Sequence, residues 1–198
     1  MTVVLRAAER FESAQPGIVS WHCFSAGAHY DPDRIGVGPL IGVDEHLLAP
    51  GAGFASHAHR GVDIVSWVLD GALRHEDDLG QALIVRPGQV LVQCTGSGVR
   101  HGETNASASR PLRIIQMTLL GDGSTPKYRC GVPPVELVRG TFAVWTSRGC
   151  VDGDVLLAFV ASGVWTVADR VLQAGDSICA PRRLAATGEG ELLVWQLA

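Results

Sequence analysis

Short apolar or alternating runs, separated by turn signals, make up most of this chain. The run "DIVSWVLDG" ends in Asp70-Gly71, a residue pair typical of tight hairpin turns. The segment after it, "GALRHEDDLGQALIVRPGQVLVQC", contains further turn signals at residues 78–80 and at Pro87-Gly88. Because these runs are closely spaced and no long helical periodicity lies between them, the pattern predicts an all-β protein, an antiparallel barrel or sandwich.

The second half of the chain repeats this pattern in a shorter form. The segment "VLLAFVASGVWTVADRVLQAGDSICA" predicts strands separated by turns at Ser162-Gly163, Asp169 and Gly175-Asp176. A repeated barrel predicts two stacked antiparallel β-barrels of jelly-roll type. We expect an N-terminal barrel over residues 1–125 and a shortened C-terminal barrel over residues 126–198, joined in the stretch "GDGSTPKYRCGVPP".

Composition and charge narrow the class of protein. With 46% hydrophobic and 18% charged residues, the chain is typical of a compact globular protein. A formal net charge of −4, without a cluster of Lys and Arg, gives no electrostatic footprint for nucleic acid. No apolar run approaches the length of a membrane span, and "MTVVLRAAERFES" lacks the features of a secretory signal, so we expect a cytoplasmic protein. The five cysteines, without a C-x-x-C motif, do not indicate a disulfide framework.

Two pairs of residues carry the candidate chemistry. The segment "HAHRG" contains His57 and His59, and "GSGVRHGETN" contains His101 and Glu103 at the same spacing. Residues i and i+2 of a strand point to the same face, so each pair would project its side chains together. A single histidine is more often a core or surface residue, but two such pairs on neighbouring strands predict a site for a first-row divalent metal such as Fe²⁺, with open coordination positions. A structural zinc site with cysteine ligands is disfavoured because no cysteine shares this spacing.

The repeat predicts that only the first barrel binds metal. All seven histidines lie within the first 101 residues. The positions of the second copy that match the two pairs hold residues without ligating side chains, namely Gly149, Val151, Gly188 and Gly190.

Three segments resemble the pirin family of bicupin proteins, which includes pirin-like quercetin dioxygenases. They are "SWHCFSAGAHYDPDRIGVGPL", "LLAPGAGFASHAHRGVDIVSWVLDGALRHEDDLG" and "VRPGQVLVQCTGSGVRHGETN", and the resemblance spans residues 18–128. It implies two cupin barrels with metal only in the N-terminal one. It also implies four metal ligands: His57, His59, His101 and Glu103.

The chain departs from the family pattern near these residues. Ala58 stands where most pirins have proline, and Gly102 where serine or alanine is usual. Asp63 follows His59 by four residues, a position at which many other cupins place a carboxylate ligand. Because the pirin pattern uses Glu103 instead, we expect Asp63 either to support the metal ligands or to have a structural role.

The resemblance implies a metal-dependent dioxygenase that opens a flavonol such as quercetin with O₂ and releases carbon monoxide. Fe²⁺ is the expected ion, with Zn, Ni, Cu and Mn as alternatives, and as a Lewis acid it would favour the ionised flavonol. Glu103 would be the catalytic residue if it leaves the metal to accept the flavonol proton. The alternative is a pirin-like regulatory protein, in which the metal sets the conformation that a protein partner recognises.

Overall fold

The structure is a computed structural model that describes residues 2–137, 139–152, 155–179 and 183–196. The all-β prediction is confirmed: the described residues form antiparallel sheets, with one short 3₁₀ helix at Ala7–Glu9. No helix among these residues is long and apolar enough to cross a membrane.

The strands are numbered in chain order. They are β1 (Val3–Leu5), β2 (Phe11–Gln15), β3 (Ile18–His22), β4 (Leu40–Leu48), β5 (Gly53–His59), β6 (Val62–Asp70), β7 (Leu73–Asp77), β8 (Ala82–Val85), β9 (Val90–Cys94), β10 (Val99–Asn105), β11 (Leu112–Leu120), β12 (Lys127–Gly131), β13 (Val135–Leu137), β14 (Gly140–Trp145), β15 (Arg148–Asp152), β16 (Val155–Val167), β17 (Arg170–Gln173), β18 (Ser177–Cys179) and β19 (Arg183–Gln196).

The chain divides into two compact units, Phe11–Val132 and Met1–Arg10 with Pro133–Ala198. The predicted ranges, 1–125 and 126–198, differ from these units in two ways. The boundary falls after Val132, and the first ten residues belong with the C-terminal segment because β1 pairs with β18.

The unit Phe11–Val132 contains two sheets. One has seven strands in the order β12-β9-β6-β11-β4-β3-β2, and the other has four in the order β5-β10-β7-β8. Their apolar faces share one buried cluster, which draws on both sheets and consists of Ile18, Leu48, Val68, Leu73, Val85, Leu91, Leu112 and Ile114. Of the three predicted turns, the one at residues 78–80 joins the paired strands β7 and β8. Asp70-Gly71 and Pro87-Gly88 also lie where one strand gives way to the next, but there the chain passes from one sheet to the other, so the hairpin predicted at Asp70-Gly71 is wrong.

Alternation along β10 sets the inner face of the four-stranded sheet. Val99, His101, Glu103 and Asn105 are buried, whereas Arg100 between the first two is exposed. Successive side chains of a strand point to opposite faces, so the same alternation that buries Val99 also points His101, Glu103 and Asn105 into the interior.

The second unit is one sheet in the order β1-β18-β16-β19-β14-β13, with β15 paired to β19 and β17 paired to β16. Its core is a cluster of ten buried residues, Ala158, Val160, Trp165, Val167, Leu172, Ile178, Leu184, Ala186, Leu192 and Val194. Arg6 anchors the N-terminal segment to this sheet, since its Nη1 lies 2.8 Å from the buried carboxylate of Asp176.

The predicted turn at Ser162-Gly163 is wrong. β16 continues through both residues, and its pairing with β19 shifts register between Val160 and Ser162. Gly163 has φ +79° and pairs with Gly190 just after that shift; a Cβ there would overlap the Glu189 carbonyl oxygen, so the glycine permits the close approach of β16 and β19. The other two predicted turns, at Asp169 and at Gly175-Asp176, lie between strands as expected.

Candidate metal centre

Three imidazoles converge where β5 and β10 pair. His101 lies directly opposite His57 in the antiparallel register, and Val99 lies opposite His59. The three ring centroids are 4.6 to 4.9 Å apart, and the potential ligand atoms of His57, His59 and His101 lie within 4.8 Å of one another. The i, i+2 spacing on β5 therefore brings His57 and His59 together against the partner strand.

Glu103 lies in an overlapping group. The β5–β10 pairing shifts register between His101 and Glu103, and β7 on the other side places His75 opposite Glu103. The potential ligand atoms of His75, His101 and Glu103 lie within 4.8 Å of one another. Three of the four predicted ligands, His57, His59 and His101, thus form one group. Glu103 belongs to the second group, and His101 is common to both.

The carboxylate of Glu103 is buried and held on one side. Its side chain is 2% exposed, and its Oε2 accepts a hydrogen bond of 2.7 Å from Gln116 Nε2 on the facing sheet. The same amide nitrogen donates to Ser66 Oγ at 3.1 Å. Glu103 Oε1 lies 3.6 Å from His75 Nδ1 and has no hydrogen-bond partner among the described residues, so this carboxylate oxygen is left to bind another group.

The free polar atoms fit a divalent metal ion. His57 Nδ1 lies 2.8 Å from the Ala55 carbonyl oxygen and must donate to it, which leaves Nε2 as the lone-pair atom. His101 Nε2 is buried and, within the described part of the chain, has no hydrogen-bond partner. A buried polar atom without a partner costs free energy, and a bound cation would remove that cost for His101 and Glu103. Imidazoles with one carboxylate are ligands that suit first-row divalent ions.

Burial keeps His101 and His59 in the form that binds metal. It lowers the pKa of His101 to about 4, against the opposing effect of the Glu103 charge. Burial also lowers the pKa of His59, and the neighbouring His57 adds to this shift. Burial favours the neutral acid of Glu103, but the polar side chains around it hold its pKa below the usual value. At neutral pH these groups are therefore neutral imidazoles and a carboxylate, the protonation states that metal binding requires.

Asp63 lies away from this centre. It is buried on β6 opposite Cys94, and after burial it is the main cause that raises the pKa of the Cys94 thiol to about 11. Neither group of potential ligands among the described residues includes Asp63.

Sequence reasoning missed His75, Asp77 and Gln116. His75 and Asp77 lie on β7 at the same i, i+2 spacing as the two predicted pairs, so the rule that found those pairs also applied to them. Gln116 comes from the facing sheet, and no local pattern marks it.

Comparison with known proteins assigns the family. The family profile named Pirin matches residues 4–119, more than half of the chain. The chain belongs to the pirin family. Rv0181c of Mycobacterium tuberculosis is 35% identical over 202 residues, which cover 96% of this chain and 82% of that protein. The Escherichia coli K12 protein named quercetin 2,3-dioxygenase is 32% identical over 130 residues, which cover 65% of this chain and 56% of that protein.

Solved structures of other bacterial proteins share the fold of this chain. The structure of the bacterial pirin YhhW from Escherichia coli in complex with nickel(II) has a TM-score of 0.90 and 22% identity, and the match covers 100% of this chain and 99% of that one. GK1651 from Geobacillus kaustophilus has a TM-score of 0.75 and 17% identity, covering 98% of this chain and 95% of that one.

Proposed function

We propose that this pirin is a metal-dependent dioxygenase that opens the ring of a flavonol such as quercetin. Both atoms of O₂ enter the ring-opened ester, and one ring carbon leaves as carbon monoxide. The observation that carries this proposal is the buried, unpartnered pair His101 Nε2 and Glu103 Oε1 beside the imidazoles of His57 and His59. An Escherichia coli relative with the name quercetin 2,3-dioxygenase supports the choice of substrate.

His57, His59, His101 and Glu103 would hold the ion, for which we propose Fe²⁺. Ni²⁺ is the foremost alternative because YhhW was solved in complex with nickel(II); Zn, Cu and Mn are the others. As a Lewis acid, the bound ion would supply the positive charge that stabilises an ionised flavonol.

Glu103 has a second role in this proposal. Gln116 keeps Oε2 in place, so Oε1, once it leaves the ion, is the atom that would accept the 3-hydroxyl proton of the flavonol. Burial around the carboxylate excludes water that would compete for this proton transfer.

Substrate would approach from the side of β5. His57 and His59 are partly exposed, whereas His101 is 1% and Glu103 2% exposed. The group is therefore closed on the side of β10 and β7 and accessible at the two β5 histidines, the side on which a planar ligand would bind.

The test is flavonol consumption by metal-free protein and by protein reloaded with Fe²⁺ or Ni²⁺ under air. We expect loss of the flavonol absorbance only with loaded protein, and at least a tenfold lower rate in His59→Ala and Glu103→Gln. His29→Gln, which changes a histidine outside the centre, is the control and should retain the wild-type rate. If loaded wild type is no faster than His59→Ala, the dioxygenase proposal fails and the regulatory reading takes its place.

A further inference from the structure

A third pair of polar residues, His75 and Asp77 on β7, lies behind His101 and takes no part in the function proposed above. We infer that His75, Asp77 and Tyr128 form a positioning relay that holds His101 with its Nε2 toward the metal. The inference rests on the proposed metal site and adds to it residues that touch neither the ion nor the substrate.

The relay starts at the ring of His101. His101 Nδ1 lies 3.4 Å from His75 Nδ1, and the two ring centroids are 5.1 Å apart. His75 is fully buried, and its other nitrogen, Nε2, lies 3.5 Å from Asp77 Oδ2. Neither Nε2 nor Oδ2 has another hydrogen-bond partner among the described residues, so each is the natural partner of the other.

Asp77 is fixed from its far side. Its Oδ1 accepts hydrogen bonds of 2.9 Å from the backbone amides of Leu79 and Gln81, in the turn that follows β7. The hydroxyl of Tyr128 donates to Asp77 and accepts a hydrogen bond of 3.2 Å from Gln93 Nε2. Three donors besides His75 thus keep the carboxylate ionised and in place.

The number of hydrogens on each ring determines which nitrogen donates and which accepts along the relay. A neutral imidazole has one N–H and one lone pair. When His101 Nε2 offers its lone pair to an ion, His101 Nδ1 carries the hydrogen and donates it to His75 Nδ1. The hydrogen of His75 is then on Nε2, which faces Asp77. In this arrangement every donor faces an acceptor. A hydrogen on His75 Nδ1 instead, directed at His101 Nδ1 or at Glu103 Oε1 3.6 Å away, would require the hydrogen of His101 to be on Nε2 and would block the metal.

A carboxylate behind a metal-binding imidazole orients the ring and strengthens it as a ligand. In this chain a second imidazole, His75, separates the two. The Asp77 carboxylate therefore acts on His101 through His75, from the adjacent strand β7.

The competing reading is a second ion held by His75, His101 and Glu103, whose potential ligand atoms also lie close together. His101 would then have to bind ions through both ring nitrogens, which a neutral imidazole cannot do. The two readings differ in stoichiometry, one ion per chain for the relay and two for the alternative.

The experiment titrates metal-free protein with Ni²⁺ and also measures the histidine ¹⁵N spectrum of Zn²⁺-loaded wild type. We expect one ion per chain and His101 protonated at Nδ1. We expect roughly 10- to 100-fold weaker Ni²⁺ binding in His75→Phe and Asp77→Asn, the range typical of such supporting residues, and a smaller loss in Tyr128→Phe. His22→Phe is the matched control because His22 also pairs with a carboxylate, Asp44 at 2.7 Å, and its affinity should stay within twofold of wild type.

Three results would overturn the relay: wild-type affinity in Asp77→Asn, His101 protonated at Nε2, or two ions in wild type of which one is lost in His75→Phe. If His75→Phe does not fold, the isosteric Asp77→Asn and the wild-type spectrum still decide the question. Weaker Ni²⁺ binding in the relay variants without flavonol turnover in wild type would uphold the relay and reject the dioxygenase. Wild type that binds no Ni²⁺ or Zn²⁺ would reject both.

Discussion

Replacing Gln116 with leucine tests how the buried carboxylate of Glu103 is held. Gln116 Nε2 is 2.7 Å from Glu103 Oε2, and the carboxylate is 2% exposed, so water cannot readily replace the lost donor. Hydrogen bonds to charged groups contribute about 1.5–3 kcal/mol, and we therefore expect Gln116→Leu to lower the free energy of unfolding of metal-free protein by about 2 kcal/mol. For a unit of this size that corresponds to a fall in Tm of roughly 5–10 °C.

The assay is thermal unfolding of metal-free wild type, Gln116→Leu and Ser66→Ala, followed by circular dichroism. Ser66→Ala removes the other acceptor of the Gln116 amide, at 3.1 Å, but leaves the bond to Glu103. Its expected cost is smaller, about 1 kcal/mol. Thr118→Val, on the same strand, controls for substitution in β11. If Gln116→Leu unfolds at the wild-type temperature, Glu103 does not depend on this bond and our account of its placement is wrong.

Further predictions concern the metal ligands and the second unit. His101→Ala should abolish stoichiometric metal binding, measured by elemental analysis after dialysis, with an unchanged circular dichroism spectrum; one ion per chain remaining would indicate another site. Asp176→Ala should lower the free energy of unfolding by about 3 kcal/mol, because the carboxylate accepts hydrogen bonds from Arg6 and from the amides of Ala7 and Gln173. Asp176→Asn should lower it by less, and denaturant titration measures both values. Gly163→Ala should cost about 2 kcal/mol or more through its positive φ and the Glu189 carbonyl, whereas Gly131→Ala, with open space around it, should unfold like wild type in the same titration.

Local pattern was sufficient for the strands and for most of the candidate site. Alternation and the turn signal at residues 78–80 predicted the β7–β8 hairpin, because both signals act between residues close in sequence. The i, i+2 spacing likewise predicted that His57 and His59 share a face.

Long-range pairing set the features that the sequence did not predict. β1 joins β18 across nearly the whole chain, and nothing in "VVL" specifies that partner. Gln116 meets Glu103 only because two sheets face each other. A glycine at positive φ is equally suited to a turn and to a close approach within a paired strand, and the local pattern does not separate the two for Gly163 because its neighbours on β19 are distant in sequence.

The most direct test of the dioxygenase proposal is to react Fe²⁺-loaded protein with quercetin under ¹⁸O₂ and to measure the label in the product by mass spectrometry. We predict that the ring-opened product contains both labelled oxygen atoms and that carbon monoxide forms in equal amount to the quercetin consumed. We also predict that metal-free protein and His59→Ala give neither product. Unlabelled product, absence of carbon monoxide, or equal conversion by loaded wild type and His59→Ala would contradict the proposed function.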